Sequence, residues 1–153
     1  MKKFLYICFG IILFFQVLKG INAISWEHDY EHALQTARRE DKPLLVYFYA
    51  TWCGQCHKFQ SNTLTDWTVK SLAKKFVCVK LDAEFEKDLA KRFEVTGYPT
   101  VIFLNTAEKL MNRMEGYGFG SKAVFRLKMN NVLKKRAGLP VQDEALSVTD
   151  LFF

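Results

Sequence analysis

Apolar and polar positions fall into alternating blocks along this chain. Leu44-Leu45-Val46-Tyr47-Phe48-Tyr49-Ala50 is an unbroken run rich in aromatic and branched residues. A short run with no polar alternation predicts a strand buried on both faces. Phe76 to Asp82 predicts a second strand and Thr100 to Leu104 a third. Lys109 to Glu115 is a weaker strand, with Leu110, Met111 and Met114 among polar residues. The polar turn at Asn105 to Glu108 makes those last two strands an antiparallel hairpin. Elsewhere the apolar spacing is helical. Trp26, Tyr30, Ala33, Leu34 and Ala37 share one face of a helix capped by Ser25 and stopped by Asp41-Lys42-Pro43. Its acidic start and its basic end at Arg38 and Arg39 suit the helix dipole. A helix follows the turn at Trp52 and runs to Thr63; Asp66 caps another, with a stripe of Trp67, Val69, Leu72, Ala73 and Phe76. Glu84 to Phe93 is a short helix with Phe85, Leu89 and Phe93 on one side. Ser121 caps the last, Lys122 to Arg136, which Gly138 and Pro140 end. Long crossovers between the first strands require parallel pairing. The expected architecture is α/β, a mixed central sheet of about four strands with helices on both faces.

Residues 1–23 stand apart from this pattern. Met1-Lys2-Lys3 precede an apolar run from Phe4 to Leu18, and Lys19-Gly20-Ile21-Asn22-Ala23 follow it. A basic start, about 15 apolar residues and a small residue at the cleavage point read as a secretory signal cut after Ala23. The alternative, a retained anchor, wants about 20 apolar residues. Cys8 follows Tyr6 and Ile7, unlike a lipid-attachment cysteine. The expected division is a signal over 1–23, one domain over 24–138 and a loosely ordered tail over 139–153. Three lysines leave with the signal, so 19 basic side chains face 16 acidic ones and the net charge falls from +6 to +3. The basic balance thus belongs partly to the precursor and points to no nucleic-acid partner. No endoplasmic-reticulum retention motif closes the sequence. The expected compartment is the bacterial periplasm, with secretion or signal anchoring as alternatives.

The candidate chemistry is Trp52-Cys53-Gly54-Gln55-Cys56-His57, at the junction of the first buried strand and a helix. Backbone N–H groups at a helix start are unpaired and carry the positive end of the dipole. A thiol placed there ionises readily, and the thiolate is the reactive form. Two intervening residues let the second thiol attack a mixed disulfide made by the first. The spacing therefore points to dithiol–disulfide exchange. Cys78, mid-strand, reads as a small buried hydrophobe.

Trp-Cys-x-x-Cys after a buried strand, with Tyr98-Pro99-Thr100 opening a later one, resembles the thioredoxin fold from Trp26 to Lys135. Lys42-Pro43-Leu44, Tyr49-Ala50-Thr51-Trp52-Cys53, Asn62-Thr63-Leu64-Thr65-Asp66 and Gly97-Tyr98-Pro99-Thr100 are similar to exported bacterial thioredoxin-like proteins. That group includes the reducing C-terminal domain of the transmembrane thiol:disulfide interchange protein. The resemblance implies that Cys53 is the exposed nucleophile and Cys56 the shielded resolving thiol. It implies a cis Pro99 beside the pair, a Tyr98 backbone that pairs with an extended substrate segment, and a Trp52 that covers one side. Gly54 and Gln55 tune the redox potential, His57 adds a modest positive influence, and Lys80 matches a lysine that thioredoxins keep nearby. Two positions depart from the family: Tyr47 stands where a buried aspartate is usual, leaving water, Lys80 or Glu84 to take the proton of Cys56, and Gln55 replaces a proline.

The resemblance implies a thiol–disulfide oxidoreductase, a reductase in preference to an oxidase or isomerase, with no cofactor and no metal. Its expected partners are disulfide-bonded exported proteins and a membrane thiol electron donor, with apocytochrome c maturation one pathway. Other readings remain open. A thioredoxin-fold binding module or chaperone would carry an inert disulfide. Cys53-x-x-Cys56-His57 also spells a c-type haem attachment motif, with Met111, Met114 or Met129 as axial ligand. Zinc or a plain structural disulfide are further alternatives, and His28 and His32 share a helical face.

Overall fold

A five-stranded sheet carries the fold in the computed structural model, which describes residues 23–118 and 120–141. The strands are β1 (Trp26–Glu27), β2 (Leu44–Tyr49), β3 (Val77–Asp82), β4 (Thr100–Leu104) and β5 (Leu110–Glu115), in spatial order β1-β3-β2-β4-β5. The helices are α1 (Tyr30–Arg39), α2 (Gly54–Asn62), α3 (Trp67–Ala73), α4 (Lys87–Arg92) and α5 (Ser121–Arg136). β1 and β2 run parallel to β3, whereas β4 runs antiparallel to both β2 and β5. Tyr47 of central β2 lies opposite Lys80 on one side and Val101 on the other.

The absence of polar alternation in β2 has its physical reason here. Leu44, Val46 and Phe48 point into a core with Ala33, Leu34 and Ala37 of α1 and Ala90 of α4. Leu45 and Tyr47 point into the opposite core, with Phe59 of α2, Val69 of α3, and Phe125, Met129 and Val132 of α5. The second core is aromatic: Phe59 meets Tyr47 and Phe125 edge-on, at 5.4 and 5.1 Å between ring centres. Such pairs add to the burial of the rings themselves.

Several expectations are corrected. The mixed sheet is as expected, with five strands against the about four foreseen, because Trp26 and Glu27 pair with Cys78 and Val79 as β1. Trp26 therefore lies outside α1, its ring 6.0 Å from that of Tyr47. Asp29 rather than Ser25 caps α1, its carboxylate accepting the His32 N–H at 2.6 Å. Phe85 and Trp67 do not pack: Phe85 stands in the turn before α4 at 85 % exposure, and Trp67 is 78 % exposed at the start of α3. Gly120, with φ +76°, occupies the cap of α5, and Ser121 accepts the Gly118 N–H at 2.7 Å. Asp66 caps α3 as expected, accepting the Thr68 and Val69 N–H groups at 2.9 and 3.2 Å. Residues 1–22 of the expected signal over 1–23, and residues 142–153 of the expected tail over 139–153, lie outside the described residues. Among the described residues no helix is long and apolar enough to cross a membrane.

Candidate active site

Central strand β2 ends at Tyr49 and α2 begins at Gly54, so Cys53 sits at the cap of α2. Cys53 and Cys56 form a disulfide with their Cα atoms 5.2 Å apart. The Cys53 sulfur accepts the Cys56 N–H at 3.0 Å, and the Cys53 carbonyl accepts the His57 N–H at 3.2 Å. Cys53 thus uses its side chain as a Ser or Asp cap does, meeting one of the unpaired amides of the first turn. Both cysteines are buried, against the expectation of an exposed Cys53, but unequally: Cys53 keeps 6 % exposure and Cys56 has none.

The surroundings come from three loops. Tyr98, half-buried, packs on Ala50, Cys53 and Cys56. The Tyr98–Pro99 peptide is cis, and Pro99 is buried immediately before β4. Since Thr100 pairs with Phe48, Pro99 is brought level with the end of β2. Trp52, 69 % exposed, meets the Tyr98 ring edge-on at 5.9 Å and donates its indole N–H to Glu84 at 2.9 Å. His57 lies on the exposed first turn of α2, one ring nitrogen 2.9 Å from the Thr51 carbonyl oxygen. Gly54 and Gln55 are exposed between the cysteines.

Lys80 belongs to a layer beneath. Its ammonium lies 4.3 Å from the centre of the Tyr49 ring and 3.4 Å from the Gln60 side-chain oxygen. Gln60 in turn donates to the Tyr47 hydroxyl at 3.1 Å. Burial pushes Tyr47 up to about 12, with the Gln60 bond opposing it only in part. Tyr47 is therefore a neutral phenol at physiological pH, where a carboxylate would accept a proton. Burial pushes Lys80 down from the usual lysine range, against the pull of Asp82. Cys78 is remote from the pair: it lies opposite Leu45, at the far end of β2 from Cys53. Burial pushes its thiol up to about 12, and it stays protonated.

Cys53, Cys56, Trp52, Tyr98 and Pro99 thus gather at one end of the sheet, with Gly54, Gln55 and His57 on its rim and Lys80 below. The Gln60 bridge and the Trp52–Glu84 bond were not legible in the sequence. Each joins residues far apart in the chain, and only the strand order brings them together.

Known proteins match this arrangement. The family model described as thioredoxin-like matches residues 25–106. Thioredoxin-1 of Drosophila melanogaster is 37 % identical over 87 residues, covering 54 % of this chain and 74 % of that protein. The thiol:disulfide interchange protein DsbD of Salmonella typhimurium is 31 % identical over 110 residues, covering 69 % of this chain but only 19 % of that longer protein. The solution structure of a thioredoxin from Thermus thermophilus superposes with a TM-score of 0.64 at 27 % identity, covering 74 % of this chain and 89 % of that one. The cysteine pair at the cap of α2, on a sheet of this order and with these relatives, establishes that the chain belongs to the thioredoxin-like family, as an oxidoreductase with a CxxC-type pair.

Proposed function

We propose that this protein is an exported thiol–disulfide reductase acting on protein disulfides through Cys53 and Cys56. The observation that carries the reading is the unequal placement of the two cysteines: Cys53 capping α2 with a remnant of exposure, and Cys56 fully buried. In the reduced protein the amide of Cys56 and the helix dipole favour a thiolate on Cys53. That thiolate attacks one sulfur of a client disulfide, and the other client sulfur leaves as a thiolate. Cys56 loses its proton and attacks the Cys53 sulfur, releasing the second client thiolate. The client gains two electrons, and the Cys53–Cys56 pair returns to the disulfide seen here. Water, Lys80 and Glu84 are the candidate acceptors for the Cys56 proton, since Tyr47 stays a neutral phenol. Trp52, Tyr98 and Pro99 form the client-facing rim, and Gly54, Gln55 and His57 tune the pair.

Export rests on the basic–apolar–small pattern of residues 1–23. The similarity to the interchange protein supports thiol–disulfide exchange with protein partners and a periplasmic setting; the preference for reduction rests on the resemblance of the sequence motifs to reducing domains. In such a setting the oxidised pair needs a membrane thiol donor to reduce it, and exported proteins, apocytochrome c among them, would be the clients.

Two measurements test this. Equilibration against glutathione or dithiothreitol buffers should place the pair near about −270 mV; a value near about −120 mV would make the protein a disulfide donor instead. Cys53→Ser should abolish reduction of a protein disulfide, and Cys56→Ser should accumulate a mixed disulfide. The neutral Tyr47 favours one second reading, a binding module with an inert disulfide. Failure of the oxidised pair to accept electrons from any thiol donor would select it.

A further inference from the structure

Arg113 lies on edge strand β5, outside every motif at the cysteine pair, yet each of its three guanidinium nitrogens donates a hydrogen bond. Nη1 donates to the Phe93 carbonyl at 2.6 Å, Nη2 to the Glu94 carbonyl at 2.7 Å, and Nε to the Glu115 carboxylate at 2.5 Å. The two carbonyls sit just past α4, where unpaired C=O groups and the negative end of a helix dipole gather. Glu94 has φ +52°, a left-handed backbone that ordinary side chains adopt only when their surroundings hold it there. From Glu94 the chain runs directly through Val95, Thr96 and Gly97 to Tyr98 and Pro99.

The far end of that loop is also tied to the sheet. Thr100 Oγ1 donates to the Gly97 carbonyl at 2.8 Å, and the Gly116 N–H donates to the Pro99 carbonyl at 2.8 Å. Gly116 directly follows β5, so the edge strand grips both ends of the loop: Arg113 at 93–94 and Gly116 at 99. Between the two grips the Tyr98 ring meets Trp52 and packs on the cysteine pair. A bidentate, charge-assisted donor is the stiffest hydrogen-bonding group a side chain offers.

We infer that Arg113 is a positioning residue: by clamping the Phe93 and Glu94 carbonyls to β5, it sets the Tyr98–Pro99 loop against Cys53 and so governs the affinity for protein disulfides. The inference rests on the proposed reductase reading for its client, and on the geometry alone for the clamp.

Arg113→Met should raise the KM for a protein disulfide about threefold to tenfold while kcat is retained, below the about 100-fold cost of a full 1 Å misplacement. Arg113→Lys keeps the charge without the fork and should fall between that variant and the wild type. The Tyr98 ring and Trp52 indole resonances should shift in both variants, with the Cys53–Cys56 equilibrium potential unchanged. An unchanged KM with unmoved resonances would overturn the inference, as would a loss confined to kcat. If Arg113→Met does not fold, Arg113→Lys decides by the same readouts. If the wild type reduces no protein disulfide, the reductase reading has failed, and the resonances alone decide whether Arg113 positions the loop.

Discussion

Thr63, at the end of α2, is fully buried, and its hydroxyl has no hydrogen-bond partner among the described residues. An unpaired buried hydroxyl costs about 1–3 kcal/mol, and valine has nearly its shape without the polar atom. Thr63→Val should therefore stabilise the fold by about 1 kcal/mol, read from the denaturant midpoint at unchanged slope; a loss of stability would mean that the hydroxyl has a partner after all. Tyr47 makes a different case. Its hydroxyl accepts from Gln60 and stays protonated up to about 12. Tyr47→Phe should thus leave the pH dependence of disulfide reduction unchanged between pH 6 and 9, whereas a shifted profile would make the phenol part of the proton path. At this scale the sequence was most informative where chemistry is local. The cysteine spacing and the missing acid at position 47 can be read directly, because each depends on residue type at one place in a strand–turn–helix unit. The Gln60 bridge between Tyr47 and Lys80 depends on side-chain reach across a core, which no spacing encodes.

Among the elements, those with unambiguous periodicity were legible, and those without it were not. β2 and β4 announce themselves because both faces are buried, which forces continuous apolar runs. β1 holds two residues, too few for any period, and Trp26 also fits the apolar face of the helix that follows. Phe85 fits a helical stripe too, yet the turn closed by Phe85 and Glu86 N–H bonds to the Asp82 carbonyl holds it in solvent. Caps show the same division. Asp66 was legible because its donors lie two and three residues on, whereas the expected cap, Ser25, gives way to Asp29 because the pairing of β1 takes Trp26 and Glu27 out of the helix. Asp66→Ala should cost about 1 kcal/mol of stability, the usual worth of a lost cap. Glu108 ties elements together: it accepts from Tyr30 and Arg38 of α1 at 3.0 Å each, and from Arg92 of α4 at 2.6 Å. Burial alone would raise both carboxyls. For Asp66 the Val69 and Thr68 amides, and for Glu108 the Arg92 and Tyr30 bonds, outweigh it and hold both below their ordinary values. Their contribution is present above the ordinary carboxylate range and is lost as pH falls through it. Glu108→Gln and Asp66→Ala should each flatten the acid side of a stability profile taken below about pH 5.

For the whole molecule the alkaline side is set by groups on both faces of the sheet. Tyr47 and Cys78 face the core under α2, α3 and α5, and Tyr30 faces the core under α1 and α4. Burial raises all three, Tyr47 and Cys78 to about 12 each, from ordinary values of 10 and 9. An acid held protonated by the fold contributes stability that is complete below its unfolded value and is lost as pH rises toward its folded one. The loss therefore begins near pH 9 with Cys78, grows near pH 10 with the two tyrosines, and runs to about pH 12. Lys80 works the other way, since burial lowers it and its contribution grows as pH rises. One buried amine does not offset three buried acids: each displaced unit is worth about 1.4 kcal/mol, against a typical total of about 5–15 kcal/mol for a domain. The oxidised protein should thus lose most of its stability between pH 9 and 12 while remaining stable at neutral pH. Cys78→Val should delay the onset of that loss, and Tyr47→Phe should flatten its upper part, in denaturant midpoints taken at half-unit steps of pH. Profiles that superpose on the wild type would show that neither group is held protonated by the fold, and the alkaline limit would then lie with other raised groups, Tyr30 and Tyr49 among them.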